Sequence, residues 1–144
     1  MIDSILKHKK QIVLNLLFSV FSIATGCVIY LLSDKDILFF KHFDYLSEIF
    51  KTPENTKISI PPFIRNYLCD MCWSFSLEST LYLLFIKNKR YLIISVIVSS
   101  FVSITMEILQ GFNIVSGTFD PADIILEIIA VFAAGFILNI IWED

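Results

Sequence analysis

Charge is scarce in this 144-residue sequence, where charged side chains make up 17% and hydrophobic ones 56%. So little charge excludes an ordinary soluble domain, which needs a polar surface. Glycine and proline are also few, with four of each, and the mean hydropathy of +0.75 excludes a disordered chain. Lys and Arg form no basic stripe of the kind that binds nucleic acid, so we expect a lipid bilayer as the partner and no nucleic acid.

Cysteine is scarce as well, and its three residues, Cys27, Cys69 and Cys72, lie in apolar segments. An odd count in such surroundings predicts no disulfide framework. Cys69 and Cys72 have the C-x-x-C spacing of redox and metal sites, but no second Cys or His pair accompanies them. We therefore expect apolar packing for these thiols, with no cofactor and no metal.

Four apolar segments are long enough to cross a membrane as helices, which requires about 20 residues each. They cover about residues 12–32, 66–86, 91–112 and 122–142. The first exceeds the apolar part of a signal peptide and no small-residue cleavage site follows it, so we expect an uncleaved anchor. The sequence therefore predicts a single all-α membrane domain over residues 1–144, in which four transmembrane helices form a bundle.

The basic residues of the short loops predict the orientation of these spans. A basic cluster at residues 7–10 precedes the first span, and residues 87–90 between the second and third spans are mostly basic. The loop 113–121 has no Lys or Arg. Both termini are therefore expected in the cytoplasm, with loops 33–65 and 113–121 outside.

The long first loop contains an amphipathic stretch, in which four apolar residues recur at helical spacing with charged residues between them. They are Phe39, Phe43, Leu46 and Phe50. This pattern predicts a short helix at the outer interface, and an ordered loop packed over the bundle fits it equally well.

Every predicted span carries polar residues on one helical face, at spacings of three or four residues. In order along the chain these are Asn15, Ser19, Ser22 and Gly26; Asn66, Asp70, Ser74 and Glu78; Ser99, Ser103, Glu107 and Gln110; and Asp120, Asp123 and Glu127. Such faces are unfavourable against lipid, so we expect them to face one another inside the bundle.

The acidic residues of these faces are expected to converge near the outer surface. With a rise of 1.5 Å per residue, Asp70, Glu107 and Glu127 lie roughly 6 to 9 Å below the outer boundary. Asp123 is nearer the surface. Ionisable groups in hydrocarbon cost several kcal/mol unless they are paired, protonated or hydrated, so they indicate a functional site. Four clustered acids cannot all stay ionised, and they would share protons or bind a cation or a cationic ligand.

Two further charged residues complete the predicted ligand-binding set. Arg65 is the only fixed cation near the outer acids, and Glu78 lies deeper, near or below the middle of the membrane. The structural alternative is that the polar groups, Gln110 and the serines above all, only join helices by hydrogen bonds. Asp120, Pro121 and Asp123 also fit the N-cap, N1 and N3 positions of a helix, which would explain both aspartates.

Residues 107–110 (EILQ), 117–120 (GTFD) and 123–125 (DII) form an E-x-x-Q motif, a short outer loop and a D-x-x-D motif followed by two hydrophobic residues. This order, over roughly the last forty residues, resembles the pattern of the VanZ-like family. Residues 65–74, at the start of the second span, also resemble family members. The resemblance implies a bacterial inner-membrane protein with four spans, and its namesake is linked to low-level teicoplanin resistance. It brings no known cofactor and no agreed mechanism.

The family positions that match are Glu107, Gln110, Asp120 and Asp123, with a weaker match at Asp70. Three positions depart from the pattern: Gly117 stands where the family usually has Arg, Glu127 where it has Asn, and Ala130 where it often has Gly. Loss of that Arg removes the obvious partner of Glu107 and leaves Arg65 as the candidate substitute.

Three functions are compatible with such a site, and we favour a non-enzymatic cell-envelope protein. Its acidic outward-facing pocket would bind a polar or cationic group of a lipid-linked or glycopeptide-like ligand. The first alternative is an intramembrane enzyme on a lipid-linked substrate, with a carboxyl as general acid or base and a divalent ion held by Asp70, Glu107 and Asp123. The second is a small proton or cation carrier that uses the acids down to Glu78.

Overall fold

The structure is a computed structural model that describes residues 2–32, 61–84, 90–115 and 117–143. Within these ranges the chain is helical and contains no strand, which confirms the all-α prediction. The helices are α1 (Ile2–Leu32), α2 (Cys69–Leu84), α3 (Arg90–Gly111) and α4 (Pro121–Glu143), and a π-helical turn (Ile64–Leu68) leads into α2. The predicted interfacial stretch with Phe39, Phe43, Leu46 and Phe50 lies outside the described residues, as do Lys87 and Lys89.

Three of the helices are long and apolar enough to cross a membrane, namely over Lys9–Tyr30, Tyr91–Gly111 and Pro121–Trp142. The second predicted span has a different form. Its regular helix α2 has 16 residues, because the π-helical turn Ile64–Leu68 replaces its first α-helical turns. A single-turn π segment of this kind is uncommon and occurs often at functional sites.

The bounds of the other helices agree closely with the apolar segments. α3 and α4 begin and end within one residue of the predicted spans. α1 begins ten residues before the predicted span, since its first residues include good helix formers such as Lys7, Lys10 and Gln11 and no Gly or Pro interrupts them.

The burial pattern is the reverse of that in a soluble protein. Ser74, Glu78 and Ser99 are fully buried, whereas Phe21 is 74% exposed and Phe136 is 68% exposed. Soluble domains bury large apolar side chains and leave charged ones in water. An apolar outer surface around a polar interior is the arrangement that lipid as a solvent favours.

Helix α2 is the centre of the bundle and contacts the three other helices. Its face toward α1 is held by hydroxyl groups: Ser19 Oγ lies 2.9 Å from Ser76 Oγ and 2.8 Å from Thr80 Oγ1. Ser22 Oγ donates to the Cys72 carbonyl oxygen at 3.0 Å. The predicted polar face of α1 is therefore turned toward α2.

Two glycines permit close approach between helices. A Cβ atom at Gly26 of α1 would lie 3.1 Å from Cys72 Cβ of α2, and one at Gly135 of α4 would lie 2.8 Å from Val96 Cγ2 of α3. Small residues at helix interfaces bring backbones together in this way.

Candidate functional site

The polar face of α3 is a continuous buried line. Ser95, Ser99, Ser103 and Glu107 are spaced by four residues, and none is more than 3% exposed. The predicted face Ser99, Ser103 and Glu107 is thus turned into the bundle, and Ser95 extends it by one turn.

This face meets the polar face of α2 in successive rungs. Ser99 Oγ donates to Glu78 Oε2 at 2.6 Å, and Ser74 Oγ lies 3.0 Å from Ser103 Oγ. Each rung lies four residues from the next on both helices, which run in opposite directions. The same register brings Asp70 level with Glu107 one turn further on.

Five carboxyl groups lie together at that end of the bundle, and we call them the carboxyl cluster: Asp70, Glu107, Asp120, Asp123 and Glu127. Glu127 interacts electrostatically with Asp70, Glu107 and Asp123. Glu107 interacts in the same way with Asp120 and Asp123. Side chains from α2, α3 and α4 and from the turn before α4 thus share one site, as the spacing predicts.

Asp120 caps the N-terminus of α4 and also forms hydrogen bonds with two neighbouring segments. Its Oδ1 accepts a hydrogen bond from the Ala122 backbone N–H at 2.9 Å, which confirms the predicted N-cap. Its Oδ2 accepts one from the Tyr67 hydroxyl at 3.3 Å, and its own backbone N–H donates a long bond to Glu107 Oε2 at 3.5 Å. Asp120 is therefore a cap that also connects the π-helical turn with α3.

Glu127 is the buried member of the carboxyl cluster that α4 contributes. Its side chain is 5% exposed, and its carboxyl is hydrogen-bonded to Ser103. Its Oε2 atom, by contrast, is buried without a hydrogen-bonding partner in the structure. Because a buried acceptor without a donor is unfavourable, this oxygen marks a position where a donor or cation would be stabilised.

Gln110 and Arg65 are also predicted to bind a ligand at this end of the bundle. The Gln110 side chain packs on Gly117, where an added Cβ would lie 2.5 Å from Gln110 Oε1 and where φ is +150°. Gly117 thus leaves room for Gln110 in a conformation that other residues rarely adopt. Arg65 belongs to the π-helical turn, and its side chain lies outside the described part of the structure.

Glu78 is separated from the carboxyl cluster by the rung of Ser74 and Ser103. It is fully buried, with Ser99 Oγ 2.6 Å from its Oε2 and Ser95 Oγ 2.7 Å from its Oε1. Glu78, which is predicted to lie deeper in the membrane, therefore forms a second polar site, in which serine hydroxyls contact both of its carboxyl oxygens.

Sequence reasoning missed several residues that shape these sites. Ser95 continues the four-residue spacing of α3, and Cys72, Ser76 and Thr80 form a second series of that spacing on α2, so the signal was present. No regular spacing in the sequence indicates Tyr67, because this residue lies in the π-helical turn.

The proposed divalent-ion arrangement of Asp70, Glu107 and Asp123 is not formed. Among the described residues, no group of three or more His, Cys, Asp or Glu side chains is placed so that it could hold a metal ion. The carboxylates lie close enough to interact through space, but not in a geometry that surrounds one ion.

Comparison of the chain with protein-family models, with curated proteins and with solved structures gives no match. The similarity of residues 107–125 to the VanZ-like pattern therefore stays a prediction.

Proposed function

We propose that this chain is a VanZ-like, four-span integral membrane protein of the bacterial inner membrane, with both termini in the cytoplasm. We propose further that its carboxyl cluster faces outward and binds a cationic or polar group of a lipid-linked or glycopeptide-like ligand, without catalysis. The resemblance of residues 107–125 to the family and the loop charges support the location and the orientation.

The continuity of the second helical segment supports four spans. The five residues of the π-helical turn lead without a break into the 16 residues of α2, and together they have about the 20 residues that a span requires. The polar faces of α2 are buried against its neighbours. Its polar sequence is thus compatible with a position inside a membrane bundle.

The observation that carries the ligand proposal is the environment of Glu127. This buried carboxyl has an oxygen without a donor, and three other carboxyls act on it. Like charges around a buried oxygen that has no donor, behind walls of low dielectric constant, favour a cation at Glu127.

Exposed aromatic side chains beside the cluster support a ligand with an apolar part. Trp73, one helical turn from Asp70, is 48% exposed, and Phe119, next to Asp120, is 47% exposed. Aromatic rings are enriched at membrane interfaces, where one side is apolar and the other wet. A lipid-linked amine would place its charge at the carboxyl cluster and its chain along these rings.

The direct test compares two probes that differ in charge: dodecylamine, which is an ammonium ion at neutral pH, and the uncharged dodecanol. We expect the wild-type protein in nanodiscs to retain the amine in preference to the alcohol. The double variant Glu107→Gln, Asp123→Asn should lose that preference, because it removes two charges of the cluster. Equal retention of both probes by the folded wild-type protein would reject cation binding.

A matched control comes from the same helix. Thr105 of α3 donates its hydroxyl hydrogen to the Phe101 carbonyl oxygen of its own helix at 2.7 Å. Thr105→Ala should therefore leave amine retention unchanged. In bacteria that express the same three proteins at equal levels, only the double variant should change susceptibility to a glycopeptide antibiotic.

A further inference from the structure

The hydrogen bonds around Glu78 fit a neutral carboxylic acid. Ser95 Oγ lies 2.7 Å from Glu78 Oε1 and also 2.9 Å from the Leu92 carbonyl oxygen. A serine hydroxyl has one hydrogen to donate, and a carbonyl oxygen can only accept. When Ser95 donates to Leu92, the hydrogen between Ser95 and Glu78 must belong to Glu78. Oε2 then accepts from Ser99 at 2.6 Å, so all of these contacts are satisfied at once.

The surrounding charges favour the same state. Tyr82 on the same helix interacts electrostatically with Glu78, and the buried acids of α3 and α4 are Glu107 and Glu127. None of these three groups supplies a positive charge. Toward α2, the middle of α1 presents the uncharged Asn15 and Ser19. An ionised Glu78 would have only neutral hydroxyls as partners, which is costly in a medium without water.

A line of polar groups leads from Glu78 to the carboxyl cluster. Ser99 contacts Glu78, and Ser103, one turn further along α3, contacts both Ser74 and Glu127. Residues four apart on a helix have Cβ atoms about 5 to 6 Å apart, a gap that one water molecule can bridge.

Toward the opposite end, the line of described polar side chains stops at Ser95, whose other contact is the backbone carbonyl oxygen of Leu92. Tyr82 is buried and packs edge-on against Trp142, with ring centroids 5.7 Å apart. Leu138 of α4 is also buried. The side chains of Asn15 and Ser79 are buried too, but their polar atoms have no hydrogen-bonding partner and so are not joined to Glu78.

We propose that Glu78 is a resident proton-binding site that exchanges its proton with the carboxyl cluster through Ser99 and Ser103, and not with the opposite end of the bundle. For the proton to leave, a half-turn of the Glu78 carboxyl group places its hydrogen toward Ser99, and the Ser99 hydroxyl turns its own hydrogen toward Ser103. The O–H bond of Glu78 then breaks as one forms on Ser99 Oγ, and Ser99 gives its original hydrogen to a bridging water molecule. That water gives one of its hydrogens to Ser103 Oγ, and the original O–H bond of Ser103 breaks as the Glu127 carboxylate gains a hydrogen. The reverse transfer restores Glu78. This inference does not depend on the ligand of the proposed function.

Infrared difference spectroscopy of the protein in nanodiscs tests the site and the route. We expect a carboxylic-acid C=O band at neutral pH that Glu78→Gln removes. After transfer to D₂O, Ser103→Ala should slow the deuterium shift of this band by about a hundredfold, as expected for loss of a positioned proton-transfer group. Ser103→Thr, which keeps the hydroxyl, should exchange at the wild-type rate, and Ser76→Ala, in the α1–α2 interface, is the matched control.

Absence of a band that depends on Glu78 would show an ionised carboxylate and overturn the proposal. A band whose exchange is unaffected by Ser103→Ala in a folded variant would overturn the route. Proton flux into protein-containing vesicles under an imposed potential tests whether Glu78 also exchanges protons with the opposite end of the bundle. We expect these vesicles to take up protons no faster than empty vesicles. A faster flux that Glu78→Gln abolishes would contradict the proposal.

Discussion

Ser99 donates a hydrogen bond to Glu78 at 2.6 Å, and this contact between α3 and α2 fixes the register of the bundle core. The rung of Ser74 and Ser103, at 3.0 Å, repeats it four residues away on both helices. Together the two rungs place Asp70 at the level of Glu107. The carboxyl cluster is therefore a consequence of the same register that buries the serines.

Substitutions at Glu78 should separate its hydrogen-bonding role from its charge. Gln can donate to Ser95 and accept from Ser99 as a neutral acid does, so Glu78→Gln should change the free energy of unfolding by less than about 1 kcal/mol. Glu78→Ala leaves hydroxyls and a cavity unfilled and should cost about 1 to 3 kcal/mol or more. Thermal unfolding in detergent measures both. A large loss for Glu78→Gln would indicate that the carboxyl is ionised.

The hydroxyl contact between α1 and α2 should make a modest contribution to stability. Ser19 and Ser76 have Oγ atoms 2.9 Å apart. A double-mutant cycle with both residues changed to Ala should give a coupling energy of about 0.6 kcal/mol, the average for hydrogen bonds between membrane helices. Strictly additive single effects would show that this contact does not join the helices.

Close packing of α3 on α4 should make Gly135 intolerant of a side chain. The added Cβ would lie 2.8 Å from Val96 Cγ2, and the β-branched Val96 has little freedom to move. Gly135→Ala should therefore destabilise the protein by about 1 to 3 kcal/mol.

Gly111→Ala is the matched control for this prediction, because its Cβ would meet Phe119 atoms at an ordinary 3.5 Å. Unfolding midpoints of the two variants, measured side by side, should differ clearly. Equal midpoints would argue against the close approach of α3 and α4.

Replacing Gly117 with the Arg that the VanZ-like pattern has at the corresponding position should disturb the loop before α4. With φ at +150° and Gln110 Oε1 2.5 Å from an added Cβ, Gly117→Arg incurs both backbone strain and overlap, at a cost of about 1 to 3 kcal/mol for the strain alone. Adding Gln110→Ala removes the overlap and should recover part of the lost stability. Full tolerance of Gly117→Arg in an unfolding assay would contradict the loop conformation.

The sequence predicted the long helices and the polar face of α3 well, because a four-residue spacing places side chains on one side of a helix whatever its neighbours are. It also predicted that Asp70, Glu107, Asp123 and Glu127 would come together. That prediction depended on the level of each residue in the membrane, which the rise per residue fixes.

Other features could not be read from spacing. The π-helical turn Ile64–Leu68 is a local change of hydrogen bonding, and it contains Tyr67, which donates to Asp120. The packing of Gln110 on Gly117 depends on the conformation of a loop. The divalent-ion alternative would need Asp70, Glu107 and Asp123 grouped around one ion, and no such group is found among the described residues. Nearness along three helices does not fix the direction of each carboxylate.

Native mass spectrometry of the protein released from its membrane can show whether the buried acids of separate helices form one cation-binding site. We expect the wild-type protein and Thr105→Ala to carry a bound amine-containing molecule, and Glu107→Gln, Asp123→Asn to lose it while remaining folded. Wild-type protein free of any bound amine, or a double variant that retains it in full, would show that the acids form no such site.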